Sequence, residues 1–328
     1  MRSVNAPGPN AVVRTALKIL AVAVAYYATA QVGLVLALVR NQVTPLWLPT
    51  GICIAALLIA GWRMWPGIAL GAFAVNLTLS PTIVSLFIIT AGNTLAPVIA
   101  VYLLRRIGFR VELDRLRDAL ALVFVGALGA MAVSATIGVG ALKLAGALPW
   151  SQFPVAWSVW WTGDAMGVLV FAPLLLTMPR TWRVAPPKRL LEAILLLVLT
   201  TGVANFVTET TMKLLFLVFP LLIWAALRFQ HALAAPCALI VSTMAVLAAS
   251  NGYFAPNAGL LTTMLVLQLF NGSVALTSLL LSAITQERND ARLAIEHACE
   301  QLADTVARYQ SGGVRTSLGQ IVPPASTS

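Results

Sequence analysis

Asp164 is the residue in this sequence with the most capacity for chemistry. It stands in the stretch Trp157-Ser158-Val159-Trp160-Trp161-Thr162-Gly163-Asp164-Ala165-Met166-Gly167, deep in an apolar run, whereas the other acids among the chain's 11 fall in loops, at run ends or in a polar tail. An Asp at the centre of a membrane helix costs about 2.5–3.5 kcal/mol on insertion scales, so it is expected to face the bundle interior, to be partnered and to be functional. No Lys, Arg or His occupies a mid-run position to pair with it. Its partners are then neutral donors such as Asn76, Asn93, Thr94, an indole N–H or water, or the carboxyl keeps its proton. A purely structural hydrogen-bonded node is the alternative reading.

A second polar point lies in Gly92-Asn93-Thr94-Leu95, followed by Pro97. Proline 97 cannot donate to the carbonyl of Asn93, so a free acceptor and a polar amide coincide within an apolar run. That suits a kinked, ligand-lining position, and it equally suits a hydrogen bond from Asn93 to a neighbouring helix. The ligand-binding or signalling set read from these features is Asp164, Asn93, Asn76, Trp160, Trp161 and Thr94. Other chemistry finds no residues to carry it. His231 and His297 stand apart with no carboxylate or thiolate at ligand spacing, and Cys53, Cys237 and Cys299 are scattered, so neither a metal site nor a disulfide framework is expected. A phosphate-binding loop, a dinucleotide fingerprint and a nucleophile-base set are missing as well. The sequence is therefore read as non-enzymatic, with no catalytic residue, metal or cofactor.

The elements that must position Asp164 follow from composition. Of 328 residues, 59% are apolar and 10% charged, against roughly 45–50% and 25% in soluble domains. Such a chain cannot cover its exterior with solvated groups, which makes it an integral membrane protein in contact with the lipid bilayer. Runs long enough to span number up to ten: 15-39, 46-62, 65-80, 82-104, 118-142, 153-178, 190-207, 213-228, 232-250 and 258-284. The short pair 46-62 and 65-80, joined by Trp62-Arg63-Met64, could form a re-entrant hairpin, which gives eight spans. The expected fold is an all-α polytopic bundle of 8–10 spans. The first run is too long for a cleavable signal and is read as an anchor.

Net charge is +10, and all but Arg40, Lys143 and Lys213 of the 21 Lys and Arg residues fall in segments on one side of this topology. Basic residues mark the cytoplasmic side, so both termini are placed in the cytoplasm. Charge that follows alternate loops instead of forming one patch also excludes nucleic acid as a partner.

Packing positions complete the reading. Pro49 and Gly51 follow Trp47; Pro66 can open a helix, since its missing N–H is unpaired there anyway. Gly67 and Gly71 form a small-xxx-small pair for close helix approach, and Pro97, Gly163, Gly167 and Pro173 are assigned structural roles. After the last run, Leu281, Ile284, Ala291, Ile295, Ala298, Leu302, Thr305 and Tyr309 fall on a weak heptad seam, compatible with a parallel homodimer or with a solvated amphipathic helix. The division expected is 1-14 cytoplasmic, 15-284 transmembrane bundle, 285-310 cytoplasmic helix and 311-328 disordered tail.

The ordered blocks Trp47-x-Pro49-x-Gly51, Gly61 with Trp65-Pro66-Gly67, Gly71 with Asn76, Gly92-Asn93-Thr94-Leu95, Leu103-Leu104-Arg105-Arg106, Trp160 with Gly163-Asp164-x-x-Gly167 and Pro173 resemble the type-one membrane-associated sensor domain of bacteria. The resemblance covers roughly residues 15-300. It implies a multi-helix inner-membrane input module, usually of eight spans, placed before histidine kinases and diguanylate cyclases in two-component and cyclic-di-GMP signalling. It also implies that 15-284 is a sensor and 285-310 its signalling helix. Many members carry an acid where this chain has Ala96, so whatever that acid does is missing from the expected site. Beyond Thr285 the chain is also too short for a kinase or cyclase domain of about 100 residues or more. An input module acting through a separate kinase or cyclase, or one that is part of a longer protein, is therefore expected; a small-molecule or proton-coupled transporter or channel is the alternative.

Overall fold

The structure is a computed structural model that describes residues 9–35, 44–181, 187–210, 214–254 and 259–318. Every apolar run becomes a helix, and no strand occurs among the described residues. In chain order these are α1 (Pro9–Val35), α2 (Leu48–Ala60), α3 (Trp65–Leu79), α4 (Ile83–Arg106), α5 (Leu116–Ala121), α6 (Ala130–Leu144), α7 (Phe153–Met166), α8 (Ala172–Thr181), α9 (Pro187–Glu209), α10 (Val218–Phe229), α11 (His231–Ser250) and α12 (Leu260–Leu318). Helices α5 and α6 are joined without a break by wide π-helical turns over Leu122–Gly129, and α7 and α8 by a second such stretch over Gly167–Phe171. Seven helical units among the described residues are long and apolar enough to cross a bilayer, and the protein is a multi-pass membrane protein.

Helices α2 and α3 are the short ones. Their 13 and 15 residues reach about 20 and 22 Å at 1.5 Å per residue, short of a hydrocarbon core of roughly 30 Å. Helix α2 does not begin at a surface: residues 44–47 enter the interior without helical structure, and Thr44 and Leu46 are buried. Pro49, in the first turn, has no N–H to leave unpaired there. Nine of the helix's residues from Pro49 to Leu58 are buried, and an apolar helix covered on all sides belongs at the centre of a bundle. α2 accordingly packs against α1, α4, α8 and the Gly167–Phe171 turns. Its helical length alone does not reach across the hydrocarbon thickness.

Around this centre, α1 packs on α3, α3 on α4, α4 on α6 and α6 on α7, while α11 holds α9, α10 and α12. Outward faces of α1 and α9 present Leu17, Leu20, Val24, Leu191, Leu195 and Val198, the surface that lipid covers.

Contacts between loops gather the basic segments at one end. Arg105 donates to the carbonyls of Leu57 and Leu58 at 2.8 and 3.4 Å and stacks over Trp62 at 5.0 Å. It thereby caps α2, which ends at Gly61 with φ +86°, a conformation that suits glycine. His231 meets the Leu113 carbonyl at 3.0 Å, the Leu116 N–H donates to Glu287 at 3.0 Å, and Arg228 pairs with Glu192 at 3.1 Å. Lys143, in the last turn of α6, stands over the Trp150 ring of the α6–α7 connection at 4.9 Å, which none of these contacts reaches. The expected helix end near residue 310 falls short, because α12 continues to Leu318. Arg40 and Lys213 lie outside the described residues.

Candidate functional site at Asp164

Asp164 is the third residue from the end of α7, about 16 Å along the axis from Phe153. Its side chain is 4% exposed. The surroundings are made by an interlock of two chain segments, 44–51 and 163–167, whose backbones touch directly. The Trp47 N–H donates to the Gly163 carbonyl at 3.0 Å. A Cβ at Gly163 would stand 2.5 Å from the Thr44 carbonyl oxygen, one at Gly51 would stand 2.5 Å from the Gly167 oxygen, and one at Gly167 would collide with the Trp47 oxygen. Only glycine permits backbones so close. The spaced glycines of the two blocks are thus two halves of one contact.

That contact aims the first turn of α2 at the acid. Thr50 donates its hydroxyl to Asp164 Oδ1 at 2.7 Å, and the positive end of the α2 dipole favours a carboxylate there. The other oxygen, Oδ2, is buried with no partner at hydrogen-bond distance; Ser134 and Trp160 are the further donors around it. These two belong to a chain of side chains across four helices. Trp160 Nε1 donates to Ser134 at 3.3 Å, Ser134 donates to Asn93 Oδ1 at 3.1 Å, and Asn93 Nδ2 reaches the Tyr26 hydroxyl at 3.5 Å. Asn93 thus serves a neighbouring helix and faces the site as well. Pro97 lies within an α4 that runs on to Arg106.

A cavity of about 60 Å³, open on one side, is lined by Thr44, Trp47, Val75, Asn76, Leu79, Asn93, Trp160, Gly163 and Asp164. Leu79 ends α3, at the end of the bundle away from Arg105 and Trp62, so the cavity extends from Asp164 toward that end. A smaller adjoining space is lined by Tyr26, Trp47, Thr50, Cys53, Asn93, Ser134 and Asp164, with Ala96, Pro97 and Met131 completing it. Ala96, completely buried, therefore stands at the site's wall, and nothing in its methyl group can supply the acid expected there.

Of the six residues singled out for ligand binding or signalling, the structure brings Asp164, Asn93, Asn76 and Trp160 together. Asn76 donates Nδ2 to the Ala72 carbonyl at 2.8 Å. Trp161 and Thr94 are not in the cavity lining: Trp161 Nε1 donates to the Leu128 carbonyl at 2.7 Å and its ring stacks on Trp157 at 5.3 Å, and the Thr94 hydroxyl bonds back to Thr90 at 2.8 Å. Tyr26, Thr44, Thr50 and Ser134 escaped the sequence reading, since a lone hydroxyl in an apolar run bonds its own helix more often than a partner. Cβ atoms at Gly67 and Gly71 would meet α1 at the Ile19 carbonyl and at Tyr26. Among the described residues, no group of three or more His, Cys, Asp or Glu could hold a metal ion.

Comparison with known proteins agrees with this architecture. The chain is 31% identical over 204 residues to the probable diguanylate cyclase DgcE of Escherichia coli (strain K12), covering 58% of this chain and 17% of that protein. It therefore spans about a sixth of the relative's length. No solved structure matches. The model of the MASE1 family matches residues 17–289, a stretch that contains the α2–α7 interlock, Asp164 and the exit of α12, and the chain belongs to this family of membrane sensor domains.

Proposed function

We propose that this chain is the input module of a signalling system, in which occupancy of the Asp164 cavity sets the position of α12. One observation carries the reading: α7, the helix that bears Asp164, packs against the helix that leaves the membrane. Met166, two residues after Asp164, packs toward Gly272 of α12, its Cε 3.9 Å from where a Cβ there would stand, and α12 packs against α7 and the Gly167–Phe171 turns. From there α12 continues without interruption to Leu318. Coupling of about 1–3 kcal/mol between the site and this helix suffices for a usable response.

The module itself is non-enzymatic in this reading, and its output acts on a kinase or cyclase domain, a cyclase being the activity in the relative's name. Its membrane is the bacterial inner membrane, with the basic end of the bundle and both termini in the cytoplasm. Residues 15-284 form the sensor and those after Thr285 the signalling helix. Exposed Ile295 and Leu302 on the heptad seam support a homodimer along this helix. The test is to fuse the chain to a diguanylate cyclase and compare wild type with Asp164→Asn. A changed basal or stimulated cyclase rate is expected, and identical rates overturn the role of Asp164.

The buried start of α2 favours a second reading. Half-helices that begin inside a membrane at a polar site are a transporter device. Proton-coupled uptake into vesicles, abolished by Asp164→Asn, would establish that reading instead.

A further inference from the structure

We infer that the Asp164 cavity takes a small organic cation carrying N–H donors, a protonated amine, entering from the end of the bundle opposite the basic loops. This rests on the reading of the cavity as the input site and adds the chemical class of its ligand. Asp164 is the first ground. One carboxylate oxygen is held by Thr50, and the other is buried and lacks a hydrogen-bond partner, so the site presents an acceptor that a donor must satisfy. The ion pairs among the described residues do not include Asp164, so no cation among those residues neutralises it. A negative oxygen in a low-dielectric interior draws a positive donor over a neutral one.

The rest of the lining fits the same class. Trp47 and Trp160 are walls of the cavity, and indoles are the aromatic groups best suited to stabilising an ammonium ion. Asn76 has spent one amide N–H on Ala72 and keeps its carbonyl oxygen as a further acceptor. An anionic ligand meets the opposite: the nearest charge repels it, and Arg105 is committed to the C-terminal end of α2. Val75 and Leu79 line the way in, which limits the ligand's other end to an apolar or small group.

The experiment titrates the full chain in phosphatidylcholine nanodiscs with ethylammonium chloride, following tryptophan fluorescence, alongside ethanol as the neutral counterpart and potassium chloride as the inorganic cation at matched ionic strength. Saturable binding of ethylammonium at least tenfold tighter than potassium, with no saturation by ethanol, is expected. Asp164→Asn should weaken it at least about thirtyfold, the usual effect of removing one partner of a buried charge pair. Asn76→Leu, which leaves the interlock untouched, should weaken it too and covers the case in which Asp164→Asn fails to fold. Equal response to ethanol, no saturable response to ethylammonium, or wild-type affinity in both variants overturns the inference. The cyclase fusion separates the two levels. If Asp164→Asn alters its output while ethylammonium fails to bind, the input site stands and the amine assignment falls; if output is unaltered, the input site itself falls.

Discussion

Replacing Gly167 by Ala tests the interlock that builds the site. The new methyl group would overlap the Trp47 carbonyl oxygen, and because that obstacle is backbone, no side-chain rotation relieves it. Either residues 44–47 retreat or the π-helical turns after Met166 shift. Overpacking of this kind costs about 1–3 kcal/mol. Retreat also breaks the 3.0 Å bond from the Trp47 N–H to the Gly163 carbonyl, adding about 1–3 kcal/mol for a buried group left unpaired. The expected loss is therefore about 2–6 kcal/mol, with Thr50 displaced from Asp164. Gly140→Ala is the internal control: a Cβ there meets nothing within 4 Å, and in a helix interior the change from Gly to Ala gains about 0.5–1 kcal/mol. Equilibrium unfolding in mixed detergent micelles measures both. A Gly167→Ala protein as stable as wild type would refute the close backbone contact and the reasoning built on it.

Further expectations concern the acid, the orientation and the tail. Thr50→Val keeps the shape of the side chain but removes the donor at 2.7 Å, and should destabilise the fold by about 1–3 kcal/mol; the Thr136→Val change, whose hydroxyl bonds its own helix and receives Trp157 on an exposed surface, should cost less in the same assay. Cysteine introduced at Arg63 should resist a membrane-impermeant maleimide added to intact cells and cysteine at Ser151 should react; the reverse pattern would invert the proposed orientation. Cysteine at Ala298, on the heptad seam, should give a disulfide-linked dimer on mild oxidation, and Leu302→Lys should abolish it; crosslinking unaffected by Leu302→Lys would remove the seam from the dimer.

Much of the scaffold was legible because membrane spans write their length and apolarity into the sequence. The ten apolar runs each correspond to helix, and the costs of a buried charge marked Asp164 before any contact was known. The positions of Arg63, Arg105 and Arg228 likewise foreshadowed which loops share an end. The interlock was not legible as such. Gly51, Gly163 and Gly167 read as packing residues, but a glycine does not say which backbone it meets, and residues 44–47 look like the edge of a span when they are an extended segment inside the bundle. Trp161 and Thr94 stand outside the cavity lining for a related reason: adjacency to Trp160 or Asn93 in sequence turns a helical side chain about 100° away, and their polar groups find nearer carbonyls. The amphipathic pattern after Thr285 could place a helix but not its end, since Gly312 and Gly313 argue for a stop that α12 passes.

The central claim, that the state of Asp164 is read out by α12, is tested most directly by a distance. Spin labels on the exposed native Cys299 of α12 and on a cysteine replacing Ile107 at the end of α4 report the spacing between these helices in nanodiscs by pulsed electron resonance. The distance distribution should shift between wild type and Asp164→Asn and remain unchanged in the Thr136→Val control. Superimposable distributions in wild type and Asp164→Asn would contradict the claim.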